Sequence, residues 1–70
     1  MKRTVFGEKV IASAGYDPLT RELEVEFARL GEVYLYTDVD EDAWYGLKFA
    51  DYADTYFRKY IRTKYTGHRI

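Results

Sequence analysis

Glu22-Leu23-Glu24-Val25-Glu26-Phe27 is the stretch whose reading decides the fold. Successive side chains of an extended chain point to opposite faces, so the glutamates share one side and Leu23, Val25 and Phe27 the other. That alternation describes a strand with one wet face and one buried face, as in an antiparallel sheet. Toward the N-terminus, residues 10–16 read as another strand, set off by Asp17-Pro18-Leu19-Thr20, a turn in which Pro pre-sets φ. Toward the C-terminus, Arg29-Leu30-Gly31 makes a short connection, with Gly31 available for positive φ, and residues 32–37 follow as a third strand. Three strands joined by tight turns form a meander.

From Asp40 the apolar period lengthens to that of a helix. Asp40 stands as the N-cap, and Glu41 and Asp42 suit the positive end of the helix dipole. Ala43, Trp44, Leu47 and Ala50 fall on one side, with Tyr45 and Phe49 pointing elsewhere. A second helix runs from about Asp54, read as its cap, to residue 62 or 63, with Tyr56, Phe57, Tyr60 and Ile61 as its apolar arc. Thr66-Gly67 ends the regular structure. The expected architecture is α+β, a three-stranded antiparallel meander followed by two helices packed on one face (βββαα). It forms one domain over residues 1–70, its core spanning about 9–66. The helices cover the face carrying Leu23, Val25 and Phe27 and leave the glutamates in water.

Composition narrows the chemistry. The 70 residues contain no Cys and a single His, so neither a disulfide framework nor a zinc site is expected. The acidic run Asp38, Asp40, Glu41, Asp42 fails the calcium-loop template: the sixth position is Ala43 instead of Gly and the twelfth Phe49 instead of Glu. No metal and no cofactor is expected. The lone Ser13 lies in a strand and His68 in the tail, nothing in their spacing brings them together, and the five glycines are scattered. A catalytic role is not expected. Lys2-Arg3 followed by Ala12-Ser13-Ala14 imitates a signal peptide, but Glu8 and Lys9 interrupt the apolar run such a segment needs. No stretch approaches the ~20 apolar residues of a membrane span, so the expected location is cytoplasmic.

Charge is the most unusual feature. Residues 1–54 hold six Lys/Arg against all twelve Asp/Glu, whereas residues 55–70 hold five Lys/Arg and no acid. In that basic segment Arg58, Lys59, Arg62, Lys64 and Arg69 are interleaved with Tyr60 and Tyr65. Cations along one helix face neutralise phosphates and release counterions, and exposed aromatics stack on unpaired bases. A solvated polar face is the plain alternative. The net charge of −1 is unlike that of a dedicated nucleic-acid binder, and without Asn or Gln any recognition leans on backbone, shape and stacking. Tyr34 and Tyr36 share one face of the third strand, either as a stacking platform or as core beneath the helices.

Gly15-Tyr16-Asp17, Leu23-Glu24-Val25-Glu26-Phe27, Val33-Tyr34-Leu35-Tyr36, Asp38-Val39 and Tyr56-Phe57…Tyr60-Ile61-Arg62…Tyr65 together resemble the KTSC domain family, over about residues 9–69. Tyr34-Leu35-Tyr36 is similar to the family's Y-x-Y motif, and Tyr60-Ile61-Arg62…Lys64-Tyr65 to its closing helix. The family comprises free-standing small bacterial and phage proteins and the C-terminus of some lysyl-tRNA synthetases. The second context implies RNA, tRNA-like, as a partner.

Two expectations result. The first is an RNA-binding module in which Arg58, Lys59, Arg62, Lys64 and Arg69 meet phosphate and Tyr34 and Tyr36 stack. The second is a protein-interaction module that uses the acidic strand face or Tyr45 and Phe49. Exposure of Tyr45 and Phe49 together with burial of Tyr34 and Tyr36 favours the second.

Overall fold

The structure, a computed structural model, describes residues 2–70. Its strands are β1 (Arg3–Val5), β2 (Ile11–Asp17), β3 (Glu22–Phe27), β4 (Val33–Tyr36) and β5 (Gly67–Arg69). Helix α1 is Glu41–Lys48, and α2 (Ala53–Tyr56) runs on without a break into a π-helical turn, Phe57–Ile61. The five strands form one sheet in the order β1-β2-β3-β4-β5, every pair antiparallel. The expected three-stranded βββαα arrangement is therefore corrected. Its three strands and two helical segments are present, but β1 precedes them and β5 follows the helices. Both added strands span three residues, too few to display a period. β5 exists because the chain returns to pair with β4, setting Arg69 opposite Tyr34 and Gly67 opposite Tyr36.

The alternation of β3 is realised: Leu23 and Val25 are fully buried and Phe27 half-buried, with the helices packed above them. In register with them lie Tyr16 and Tyr36 beside Leu23, and Ala14 and Tyr34 beside Val25, so the inner face is built in rows. The core is completed by Ile11, Val39, Trp44, Leu47, Ala53, Phe57 and Ile61. Gly31 takes the left-handed conformation (φ +67) its connection needs. On the outer face Arg3 lies 3.5 Å from Glu24 and 3.8 Å from Glu26, and the Ser13 hydroxyl donates to Glu26 at 2.8 Å. The glutamate face is thus partly neutralised from β1 and hydrogen-bonded from β2.

Both expected aspartate caps have other partners. Asp40 occupies the cap position of α1, but its side chain makes no capping bond and pairs with Arg21. The cap position of α2 is Tyr52, and the N–H groups of Ala53 and Asp54, in the first turn, donate to the Glu8 carboxylate at 2.8 and 3.0 Å. Asp54 in return accepts from the backbone N–H groups of Val10 and Ile11 at 3.0 and 2.9 Å. Two carboxylates so clasp the start of α2 to the approach of β2. The π turn, closed by Arg62 N–H donating to the Phe57 carbonyl at 2.9 Å, disturbs the i, i+3, i+4 phase of the helix. Tyr60, expected in the apolar arc, is 55% exposed.

Candidate nucleic-acid interface

Between the inner face of β3–β4 and the π turn lies a groove of about 360 Å³. Its apolar wall is a chain of edge-to-face rings: Tyr34 on Phe27 (5.4 Å), Phe27 on Phe57 (5.7 Å) and Phe57 on Tyr36 (5.5 Å). Such contacts fix ring orientation as well as excluding water. Gly67 admits the Tyr36 ring, since a Cβ there would collide with it. Tyr36 is thereby core, 6% exposed, whereas Tyr34 is half-buried with its ring at the groove. Burial pushes the Tyr36 phenol above its ordinary value, with a smaller contribution from Tyr34 and opposition from the Arg62 guanidinium. The hydroxyls of Tyr34 and Tyr36 have no protein hydrogen-bond partner among the described residues. No fully buried side-chain polar atom is left unsatisfied either, so these hydroxyls meet solvent.

Arg58 and Arg62 stand on the helical rim of this groove, four residues apart and exposed. Neither has a carboxylate within 4.0 Å among the described residues. The two acids of the lining are otherwise engaged: Glu32 accepts from Arg69 at 2.8 Å, and Asp54 holds the two backbone N–H groups described above. With Glu32 paired to Arg69, two guanidinium groups face the single uncompensated carboxylate of Asp54, and the balance of charge at the groove is cationic.

The structure brings Tyr34, Tyr36, Arg58 and Arg62 together and leaves the other three expected residues apart. Arg69 borders Tyr34 across the β4–β5 pairing but is committed to Glu32. Lys59 lies against Tyr52, Tyr56 and Tyr60 in a separate shallow hollow. The Lys64 ammonium is 5.4 Å from the Tyr65 ring, and Lys64 lines a hollow that also includes Asp40 and Asp42. Phe27, Phe57 and Val10, which complete the groove, were legible only as strand and helix core positions.

Tyr45 and Phe49 stack at 6.2 Å on the outer side of α1 and are 46% and 72% exposed. With Tyr36 buried and Tyr34 half-buried, the exposure criterion leans toward the interaction reading at three positions and divides at Tyr34. Ser13, on β2, is bound to Glu26, and His68 lies on β5, with β3 and β4 between them. Among the described residues no three His, Cys, Asp or Glu lie together as a metal site, and no helix is long and apolar enough to cross a membrane.

Comparison with known proteins reports on the fold and not on the ligand. No curated protein matches the chain. A crystal structure of a KTSC domain protein from Yersinia pestis superimposes with a TM-score of 0.91 at 32% identity, covering 99% of this chain and 96% of that one. The model of the KTSC domain matches residues 8–65, from the Glu8 clasp to Tyr65. That match takes in β2, β3, β4, both helical segments and the whole groove, and the chain belongs to the KTSC domain family.

Proposed function

We infer that this domain is a non-catalytic, cytoplasmic binding module for structured or single-stranded RNA, tRNA included, and that the groove is its contact point. One observation carries the reading: Arg58 and Arg62, free of acidic partners, flank an aromatic groove that contains Tyr34. Phosphate contacts place the RNA, and the half-buried Tyr34 ring offers a base a surface to lie against. Lys59 and Lys64 add to the local potential without entering the groove, and Tyr36 supports the wall from within the core.

Electrophoretic titration with tRNA and with single-stranded RNA at two salt concentrations tests this. Affinity should fall with salt, with a log–log slope of about −0.7 per phosphate contacted for single strands. Arg58→Gln with Arg62→Gln should make that slope shallower, and binding indifferent to salt would overturn the reading.

A second reading rests on the exposed Tyr45–Phe49 stack, since exposed aromatics anchor protein interfaces. Under it, Tyr45→Ser with Phe49→Ser abolishes partner binding while Arg62→Gln does not.

A further inference from the structure

Peptides bind a small sheet most readily by adding a strand to an open edge. The groove has no such edge, because β5 already covers β4. What it offers is short and mixed in character. The strand side presents the rings of Tyr34 and Phe27, against which Phe57 packs from the π turn; the helical rim carries two unpaired guanidinium groups. Two phenol hydroxyls, those of Tyr34 and Tyr36, complete the interior without a protein partner among the described residues. The volume, about 360 Å³, lies at the lower end of the range for small-molecule sites. A ligand that satisfies all of this is flat and aromatic at one end, anionic at the other, and carries hydrogen-bonding atoms on the edge of its ring.

We propose that the groove is a pocket for one unpaired nucleotide. Its base lies against Tyr34 beside Phe27, its edge meets the Tyr36 hydroxyl, and its phosphate sits between Arg58 and Arg62. The proposal rests on the RNA reading above and sharpens it: a base must be extruded to enter, so looped or single-stranded RNA binds and a continuous duplex does not. The Tyr36 hydroxyl is protonated at neutral pH, as an ordinary phenol is, so it serves as a donor as well as an acceptor. Glu32 is neutralised by Arg69, so the phosphate meets two guanidinium groups against one remaining carboxylate charge, that of Asp54, which is turned to the backbone N–H groups of Val10 and Ile11.

The test is amide NMR of the isotopically labelled full chain, titrated with 5′-AMP, 5′-UMP, adenosine, inorganic phosphate and phosphotyrosine. It is paired with binding of a single-stranded RNA and a blunt duplex. The nucleotides should shift resonances of Tyr34, Arg58 and Arg62, while adenosine or phosphate alone does so at least about tenfold more weakly. Tyr34→Ala should weaken single-stranded RNA at least about fivefold, the low end of one lost base stack, whereas Tyr34→Phe should keep most of it. Arg62→Gln, an exposed change that leaves the core intact, guards against a folding defect in Tyr34→Ala.

If RNA binds but the groove stays silent and Tyr34→Ala has no effect, the pocket is overturned and the RNA reading survives. If nucleotides fill the groove but no RNA binds, the pocket stands and the RNA reading falls. Phosphotyrosine binding more tightly than either nucleotide, or nothing binding at all, overturns the proposal.

Discussion

Tyr36 couples the groove wall to pH. Its phenol is raised by burial first and by Tyr34 second. An acid whose folded pKa lies above its unfolded value holds its proton more firmly in the native state. Its contribution is therefore intact below about pH 10 and disappears as pH climbs through the folded value. Thermal melts across the alkaline range should show Tm falling from about pH 10 upward, and Tyr36→Phe should flatten the fall. Tyr16, also raised mainly by burial, keeps a residual slope. A second prediction contrasts two glycines. At Gly67 an added Cβ meets the buried Tyr36 ring, which has nowhere to go, so Gly67→Ala should cost about 1–3 kcal/mol. At Gly46 it meets the hydroxyl end of the half-buried Tyr56, which can swing aside, while helix propensity favours Ala by up to ~1 kcal/mol. Gly46→Ala should be the milder change, and urea midpoints of the two variants give the order. Gly31 was readable because a turn required it; Gly67 was not, since its neighbour is supplied by a strand about thirty residues earlier in the chain.

At the scale of elements, the junction of β2 with α2 depends on Glu8 and Asp54. Removing either carboxylate strands a pair of backbone N–H groups. Asp54→Ala should cost about 1–3 kcal/mol, because one of its donors belongs to the fully buried Ile11. Glu8→Ala should cost ~0.5–2 kcal/mol, as loss of a helix cap does. Because both act on one junction, the double variant should cost less than the sum of the singles, a coupling that urea denaturation of all four proteins measures. This clasp also explains where the reading of elements failed. Asp40 and Asp54 were assigned to helix caps from local pattern, and pattern does not say which distant donor will claim a carboxylate. Arg21 claimed one, and the backbone at Val10 and Ile11 the other. The meander itself was legible because residues 22–27 alternate strictly and their neighbours are bounded by turn chemistry. The short outer strands carry no such signal, and the π turn looks like ordinary helix in sequence.

Across the whole molecule, the charge division of the chain survives folding as local surfaces. Arg3 mutes the glutamate face, Glu32 takes Arg69, and the helical segment keeps Arg58, Lys59, Arg62 and Lys64 without carboxylates within 4.0 Å among the described residues. The segment was visible in the sequence, but its division was not: two cations at the groove and two around the exposed tyrosines follow from the wind of one turn. The five-stranded closure has a different outcome. Each outer strand is three residues long and carries or adjoins charge, Lys2 and Arg3 at one side and His68 and Arg69 at the other. Short, charged borders discourage sheets from joining one another. Beneath β5, however, lies Val33-Tyr34-Leu35-Tyr36, an uncharged run of residues that favour cross-β stacking. A chain cut after Thr66 should lose its solubility before it loses its helices, forming thioflavin-positive assemblies while the intact protein stays monodisperse by light scattering. Pairing with residues 67–69 thus occupies an edge that would otherwise be open to strand addition, and a protease that removed them would expose a template for fibril growth.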